Sequence, residues 1–336
     1  MTATRRTFIK TTAATGAAAA FGAPWIAKGA PAVTLRIGTL APQGSRWHKA
    51  FESTAREVKR ETSGAVDIKI YAGGTMGDEA AMVRKMRIGQ LDGAAVTSVG
   101  LGDINKQLLM LQLPLLFKNY KQLDHVRSKM SDKFEKLLSD EGFRLGSWGD
   151  VGFIYLFSNS PVKVPSDIKG TKMWVWDSDP VSKKVMEVVG VNAVPLGVPD
   201  VLPSLQTGVI DAFTNSPYGA IALQWYTKAR YVTNLRLSMG VGASVITEKA
   251  WGGIPDDARA VIDRVTQATH DKLLKAIRND NNKAVQALVD KGLQVVEPDD
   301  ILGWASAAVK VRNELVSGKV FDPNLVNEML DHLKRA

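Results

Sequence analysis

Apolar residues along this chain fall into repeating short rhythms. Positions 33–38 (VTLRIG) and 66–71 (VDIKIY) alternate apolar with polar, the two-residue period of a half-buried strand. Helical spacing follows each, at 45–62 and 78–88, and a short apolar run at 93–98 reads as a third strand. Strands alternating with helices of this length imply parallel βαβ units. The rhythm restarts after Ser158, with a strand at 173–176 (MWVW), a helix at 180–189 and a strand at 193–196. The pattern predicts an α/β fold of two lobes.

A longer signal lies at 256–290. These residues contain no Gly or Pro, Pro255 precedes them and Gly292 follows, which suits a helix start and stop. Val261, Ile262, Val265, Leu273, Ile277, Ala284, Val285, Leu288 and Val289 recur at helical spacing. One continuous helix would run roughly 50 Å at 1.5 Å per residue, enough to span two lobes. The alternative is two shorter helices joined at the polar run Asn279, Asp280, Asn281, Asn282, whose residues favour turns or caps. Residues 301–336 read as C-terminal helices folded back on one lobe.

The N-terminus sets the compartment. Arg5 and Arg6 lead through Phe8 and Lys10 into an Ala/Thr/Gly stretch, the pattern of a twin-arginine export signal, with cleavage expected after Ala32. No other run approaches the ~18 apolar residues of a membrane span. The chain has no cysteine, which excludes disulfides, thiolate metal sites and a lipid-modified cysteine. Without the signal, 39 basic residues face 34 acidic ones. The excess is spread along the chain with no basic run, so nucleic acid is not an expected partner.

Several motifs then occur in a characteristic order: TLAP at 39–42, GGTMGDE at 73–79, IGQLD at 88–92, LPLLF at 113–117, DIKG at 167–170, PLGVPD at 195–200, LQTGVID at 205–211 and Asn215. In this order and spacing the chain resembles the DctP-like periplasmic solute receptors of tripartite ATP-independent (TRAP) transporters. The resemblance implies a two-lobed periplasmic binding protein fold with an interlobe cleft, hinge strands and a long helix spanning both lobes. Lobe I would comprise 33–155 plus about 243–275, and lobe II 156–242 plus about 276–336. It implies a small-molecule ligand delivered to membrane permease subunits, no cofactor and no enzymatic role. Hinges are expected near 152–159 and 240–247, with Gly240 and Gly242 as pivots.

The departures from that family bear on the ligand. The usual receptor clamps a substrate carboxylate with an arginine in the strand after the DxxG turn, but this chain has Trp174 there. A second arginine found in some members would align near Phe153 or Ile154 and is also missing. Lys172 should point to the opposite face of the strand from Met173, and Trp174 and Trp176 share one strand face by period two. Aromatic residues cluster instead: Trp148, Tyr155, Trp174, Trp176, Phe213 and Tyr218, with Trp225 and Tyr226 read as core. Phe213, Thr214 and Asn215 are expected just beyond a short strand, facing the cleft. The candidate ligand-binding set is therefore Trp174, Trp176, Asn215, Trp148, Phe213, Tyr218, Thr97, Tyr155 and Glu79. Burying about 300 Å² of apolar ligand would contribute roughly 7 kcal/mol gross. An apolar, aromatic or lipid-like ligand is the expectation. A carboxylate held by Asn215, Thr97 and Arg46 or Lys172 is the alternative, and a sensory module another.

Enzyme signatures are thin. His48, His125, His270 and His332 have no metal-ligand spacing, and no nucleophile elbow is present. Asp177 and Asp179 precede Pro180, where helix capping accounts for them. Asp78 or Glu79 should likewise cap the helix that follows.

Overall fold

The structure is a computed structural model that describes residues 32–336; the expected twin-arginine signal lies outside them except for its last residue. The first βαβ run consists of β1 (Val33–Thr39), α1 (Arg46–Glu61), β2 (Val66–Tyr71), α2 (Glu79–Arg87), β3 (Gly93–Thr97) and α3 (Ser98–Ile104). β1 pairs in parallel with β2 and with β3, as the alternating pattern requires. Ser45 caps α1 by accepting from the His48 N–H. Leu35, Val58 and Val66 form a core between α1 and the sheet, joined by Ile262 and Val265 of the long helix.

α4 (Tyr120–Lys129) and α5 (Ser131–Ser139) lead into β4 (Phe143–Ser158). The second run follows: β5 (Trp174–Trp176), α6 (Pro180–Val189), β6 (Val194–Leu196), α7 (Val198–Thr207), β7 (Ala212–Asn215) and α8 (Pro217–Ala222). Strand β8 (Tyr231–Thr247) returns, followed by α9 (Glu248–Gly252), α10 (Asp256–Asp290), β9 (Gln294–Val296), α11 (Ile301–Ser317) and α12 (Pro323–Lys334). The main sheet runs β2-β1-β3-β8-β4-β7 with β9 beside β8, and β5-β6 is a separate parallel pair.

Two strands join the lobes. β4 has 16 residues and β8 has 17, roughly 50 Å at about 3.3 Å per residue, far more than one lobe's layer needs. They pair antiparallel from Phe143 opposite Thr247 to Ser158 opposite Tyr231, with three register shifts. At the first two shifts β4 carries one extra residue, Gly146 and Val151, and at the third Tyr155 faces four unpaired residues of β8, 234–237; such irregularities bend and twist the ribbon. At the middle shift glycines face glycines, Gly149 opposite Gly242 and Gly152 opposite Gly240. Gly152 has φ +115, and a Cβ there would lie 2.4 Å from the Asn281 amide nitrogen.

α10 is one unbroken helix of 35 residues. The polar run does not break it because Asn281 is buried and fully engaged. Its amide nitrogen donates to Ile277 O on its own helix and to Val151 O on β4, and its oxygen accepts from Tyr218 N on α8. The helix thus docks on the strand ribbon beside the glycine pairs.

An ion-pair network fixes the same region. Asp150, its side chain fully buried, takes Arg127 of α4 at 2.8 Å and Arg278 of α10 at 2.7 Å. Arg278 also pairs with Asp124. Burial pulls the Arg127 guanidinium down from its ordinary value while Asp150 opposes the shift.

Candidate functional site

A cavity of about 300 Å³ lies between the lobes. Its first-lobe wall comes from the loop after β1 (Leu40, Ala41, Pro42), from Trp47 and Phe51 on α1, and from Thr97, Ser98 and Val99 at the end of β3. Ligands of parallel sheets sit beyond the strand ends, and these residues occupy that position. The second-lobe wall carries Trp174, Trp176, Val198, Thr214, Asn215 and Trp225. Gly149 and Gly240 at the glycine pairs, Met239, and His270 and Leu273 of α10 close the hinge side.

Trp174 and Trp176 share a face of β5, their ring centroids 6.0 Å apart. Trp174 packs edge-on against Trp225 at 5.2 Å. Its indole N–H donates to Leu196 O on β6, so the ring is held in place with its polar edge satisfied. Offset and edge-on rings of this kind form a rigid apolar wall.

Five of the nine candidates line the cavity: Trp174, Trp176, Thr97, Glu79 and Asn215. The other four stand elsewhere. Phe213 is fully buried, stacked on Phe157 and edge-on to Trp225, because β7 pairs with β4 and period two turns Phe213 into the core. Phe213, Thr214 and Asn215 lie within β7 rather than beyond it. Trp148 packs under Phe134 and the Arg127 guanidinium. Tyr155 is buried beside Arg236. Tyr218 stacks edge-on with Trp47, and its hydroxyl accepts from Arg46 N.

Trp225, read as core from sequence, is 2% exposed and still contributes to the wall. Trp47, Phe51, Gln112, Leu115, Met239, His270 and Trp304 also line the cavity and carried no local signal. Of these only Leu115 lay in a recognised motif, at 113–117.

Among the described residues the ionisable side chains that line the cavity are Glu79, Asp150, Asp179 and His270. Among the described residues no Lys or Arg lines it. Glu79 accepts from Thr97 N, Thr97 Oγ1 and Gly100 N at 2.7, 2.8 and 2.7 Å, and burial pushes its carboxyl up to about 8 despite these donors. It ties α2 to the β3–α3 turn from behind Thr97. Asp179 caps α6 through Val181 N and accepts from Gln112 across the cleft. Burial lowers the proton affinity of His270, whose ring faces Trp148 O. Arg46 is paired with Asp280, and Lys172 donates to Gly208 O, so neither reaches the cavity wall. The Asn215 oxygen accepts from Ser216 N, while its amide nitrogen donates to none of the described residues.

Polar contacts cross the cleft mouth. Asp78 at the head of α2 does not cap its own helix by side chain; it accepts from the Trp176 indole at 2.6 Å. Ser178 donates to Asp103 at 3.2 Å, and burial pushes Asp103 up to about 6. His125 and His332, on α4 and α12, have ring centroids 6.4 Å apart. Among the described residues no three ligating side chains group to hold a metal, and no helix is long and apolar enough to cross a membrane.

Comparison with known proteins places this geometry. The chain is 25% identical over 93% of its length to the C4-dicarboxylate-binding periplasmic protein DctP of Rhodobacter capsulatus, covering 94% of that protein. It is 25% identical to a solute-binding protein of Chromohalobacter salexigens over 84% of each. The sugar acid binding protein of Advenella mimigardefordensis, solved with galactonate, superposes with a TM-score of 0.85 at 20% identity, over 91% of this chain and 99% of that one. A TRAP periplasmic solute binding protein of Desulfovibrio salexigens, solved with orotic acid, gives 0.81 at 19% identity, over 90% and 99%. The two-lobed TRAP receptor fold is therefore shared. The family of bacterial extracellular solute-binding proteins, family 7 (DctP), matches residues 37–318, and with the cavity between its two lobes the chain belongs to that family of solute receptors.

Proposed function

We propose that this protein is a periplasmic TRAP receptor whose ligand is uncharged and largely apolar, aromatic or lipid-like. One observation carries the reading: a cavity walled by Trp174, Trp176 and Trp225 into which, among the described residues, no lysine or arginine projects. A carboxylate buried there without a cation would cost several kcal/mol. Trp174, at the position where the family resemblance leads one to expect an arginine, supports the same reading. Closure would bring the lobes together about the Gly149–Gly242 and Gly152–Gly240 pairs, with lobe I at 33–155 plus about 243–275 and lobe II at 156–242 plus about 276–336. Export by the twin-arginine route, and delivery of the ligand to a membrane permease, complete the proposal.

A second reading is favoured by the solved relatives, which hold galactonate and orotic acid. A carboxylate could then be held by a neutral donor such as the Asn215 amide, whose nitrogen donates to none of the described residues. Denaturing mass spectrometry of the gently purified protein separates the two. A released neutral apolar molecule supports the aromatic cleft. A released carboxylate sinks it, leaving the receptor assignment intact. In binding titrations the apolar reading expects no response to succinate or galacturonate, and loss of binding of the released molecule in Trp174→Ala.

A further inference from the structure

The cavity does not stop at the tryptophan wall. Trp174 and Trp176 point to one face of β5, and Met173 and Val175 to the other, yet residues of both faces line the same space. The topology permits this. Met173, just before β5, meets β7 at a single bridge, with Ala212. Beyond it β5 pairs with β6 and β7 with β4. The two strands therefore fork just where the cleft reaches them.

Behind the fork lies a separate apolar core of the second lobe, containing Met173, Val175, Met186 and Trp304. Val189 on α6 and Ala308 on α11 also line the cavity there. Trp304 and Ala308 are one helical turn apart on one face of α11, and the small residue leaves room beside the ring. The Trp304 indole N–H is already bound to Lys163 O, so it offers no polar contact to a guest. Such a recess suits methylenes and excludes charge.

We propose that this recess is a binding site for an alkyl chain, so that the receptor takes an amphipathic molecule whose uncharged head stays near Asn215 while its unbranched tail passes through the β5–β7 fork. This deepens the aromatic-cleft reading and rests on it. Chain length then determines affinity: each methylene entering the recess should tighten binding roughly threefold to fourfold.

Titration of the mature protein with 1-alkanols of four to ten carbons, followed by calorimetry, tests this, with indole as a short aromatic probe. Wild type should tighten steadily with chain length. Ala308→Leu, which narrows the recess, should bind butanol and indole as wild type does but lose the gain for the longer alkanols, by tenfold or more at ten carbons. Ala307→Met, at a less buried position on the same wall, should do the same if Ala308→Leu fails to fold. Equal chain-length dependence in wild type and variants overturns the recess. Binding of indole with no gain from longer alkanols overturns the recess while sparing the aromatic cleft. Binding of galacturonate with no response to indole or alkanols overturns both.

Discussion

Asp78 of the first lobe accepts the indole N–H of Trp176 from the second at 2.6 Å, making the tryptophan both a cleft wall and a latch. The carboxylate is largely buried, and its other oxygen has no partner among the described residues. Burial raises its proton affinity while the indole N–H opposes that rise. The latch uses residues from the GGTMGDE and MWVW segments, close to where Gly74 approaches Pro199. Closure is thereby coupled to the ring that would touch a ligand.

Trp176→Phe keeps the aromatic wall and removes the donor. A hydrogen bond to a charged acceptor contributes about 1.5–3 kcal/mol, so the closed-to-open equilibrium constant should fall roughly tenfold or more. Small-angle scattering of the ligand-free sample should show a larger radius of gyration than wild type. An unchanged radius would remove the latch from the account.

Asp103 gives the stability of the fold a pH dependence. Burial raises its carboxyl from 3.8 to about 6, with Asp78 and Asp179 adding to the rise and Ser178 and Arg84 opposing it. For an acid raised in the folded state, the stabilising contribution is complete below about 4 and is lost as pH climbs through about 6. Wild type should therefore melt at a progressively lower temperature between pH 4 and 6 relative to Asp103→Asn, with the difference levelling above pH 7. Parallel melting curves for the two proteins across that range would contradict the assignment.

Asp150→Ala would leave Arg127, 5% exposed, without its partner. Removing one member of a buried pair costs about 3–5 kcal/mol. A fall in melting temperature on the order of 10 °C is expected. A change within a degree or two would mean that solvent reaches the Arg127 guanidinium.

Gly152→Ala tests the hinge. Its φ of +115 is one that side chains rarely adopt, and the new Cβ would meet the Asn281 amide. The variant should lose about 2 kcal/mol or more in urea unfolding, while Gly149→Ala, with ordinary backbone and 3.6 Å of clearance, should lose much less. Equal losses would show that the Asn281 contact does not restrain the ribbon.

How much of this was legible in the chain depends on how local each feature is. The bounds of the helix at 256–290 were legible because Pro255, thirty-five residues without Gly or Pro, and Gly292 are local signals, but its continuity through 279–282 was not. The strand β1, the Ser45 cap and the stop of α7 at Gly208, φ +73, follow from neighbours in sequence in the same way. The shared face of Trp174 and Trp176 needed only the period of a strand. Phe213 shows where that ends: its alternation was visible, but which face of β7 meets the core depends on pairing with β4, a strand more than fifty residues earlier.

The sequence by itself determined the periodic strands and helices of the two βαβ runs and the long helix, their α/β order, the family and the absence of a cation at position 174, because propensity, capping and period act over a few residues. The tertiary structure alone decided which aromatics reach the cleft, that Asn281 engages rather than breaks α10, that Asp78 faces Trp176, and that β5 and β7 fork. Each of these depends on which strands pair and which buried polar groups then find partners, and those are long-range choices fixed only when the whole core closes.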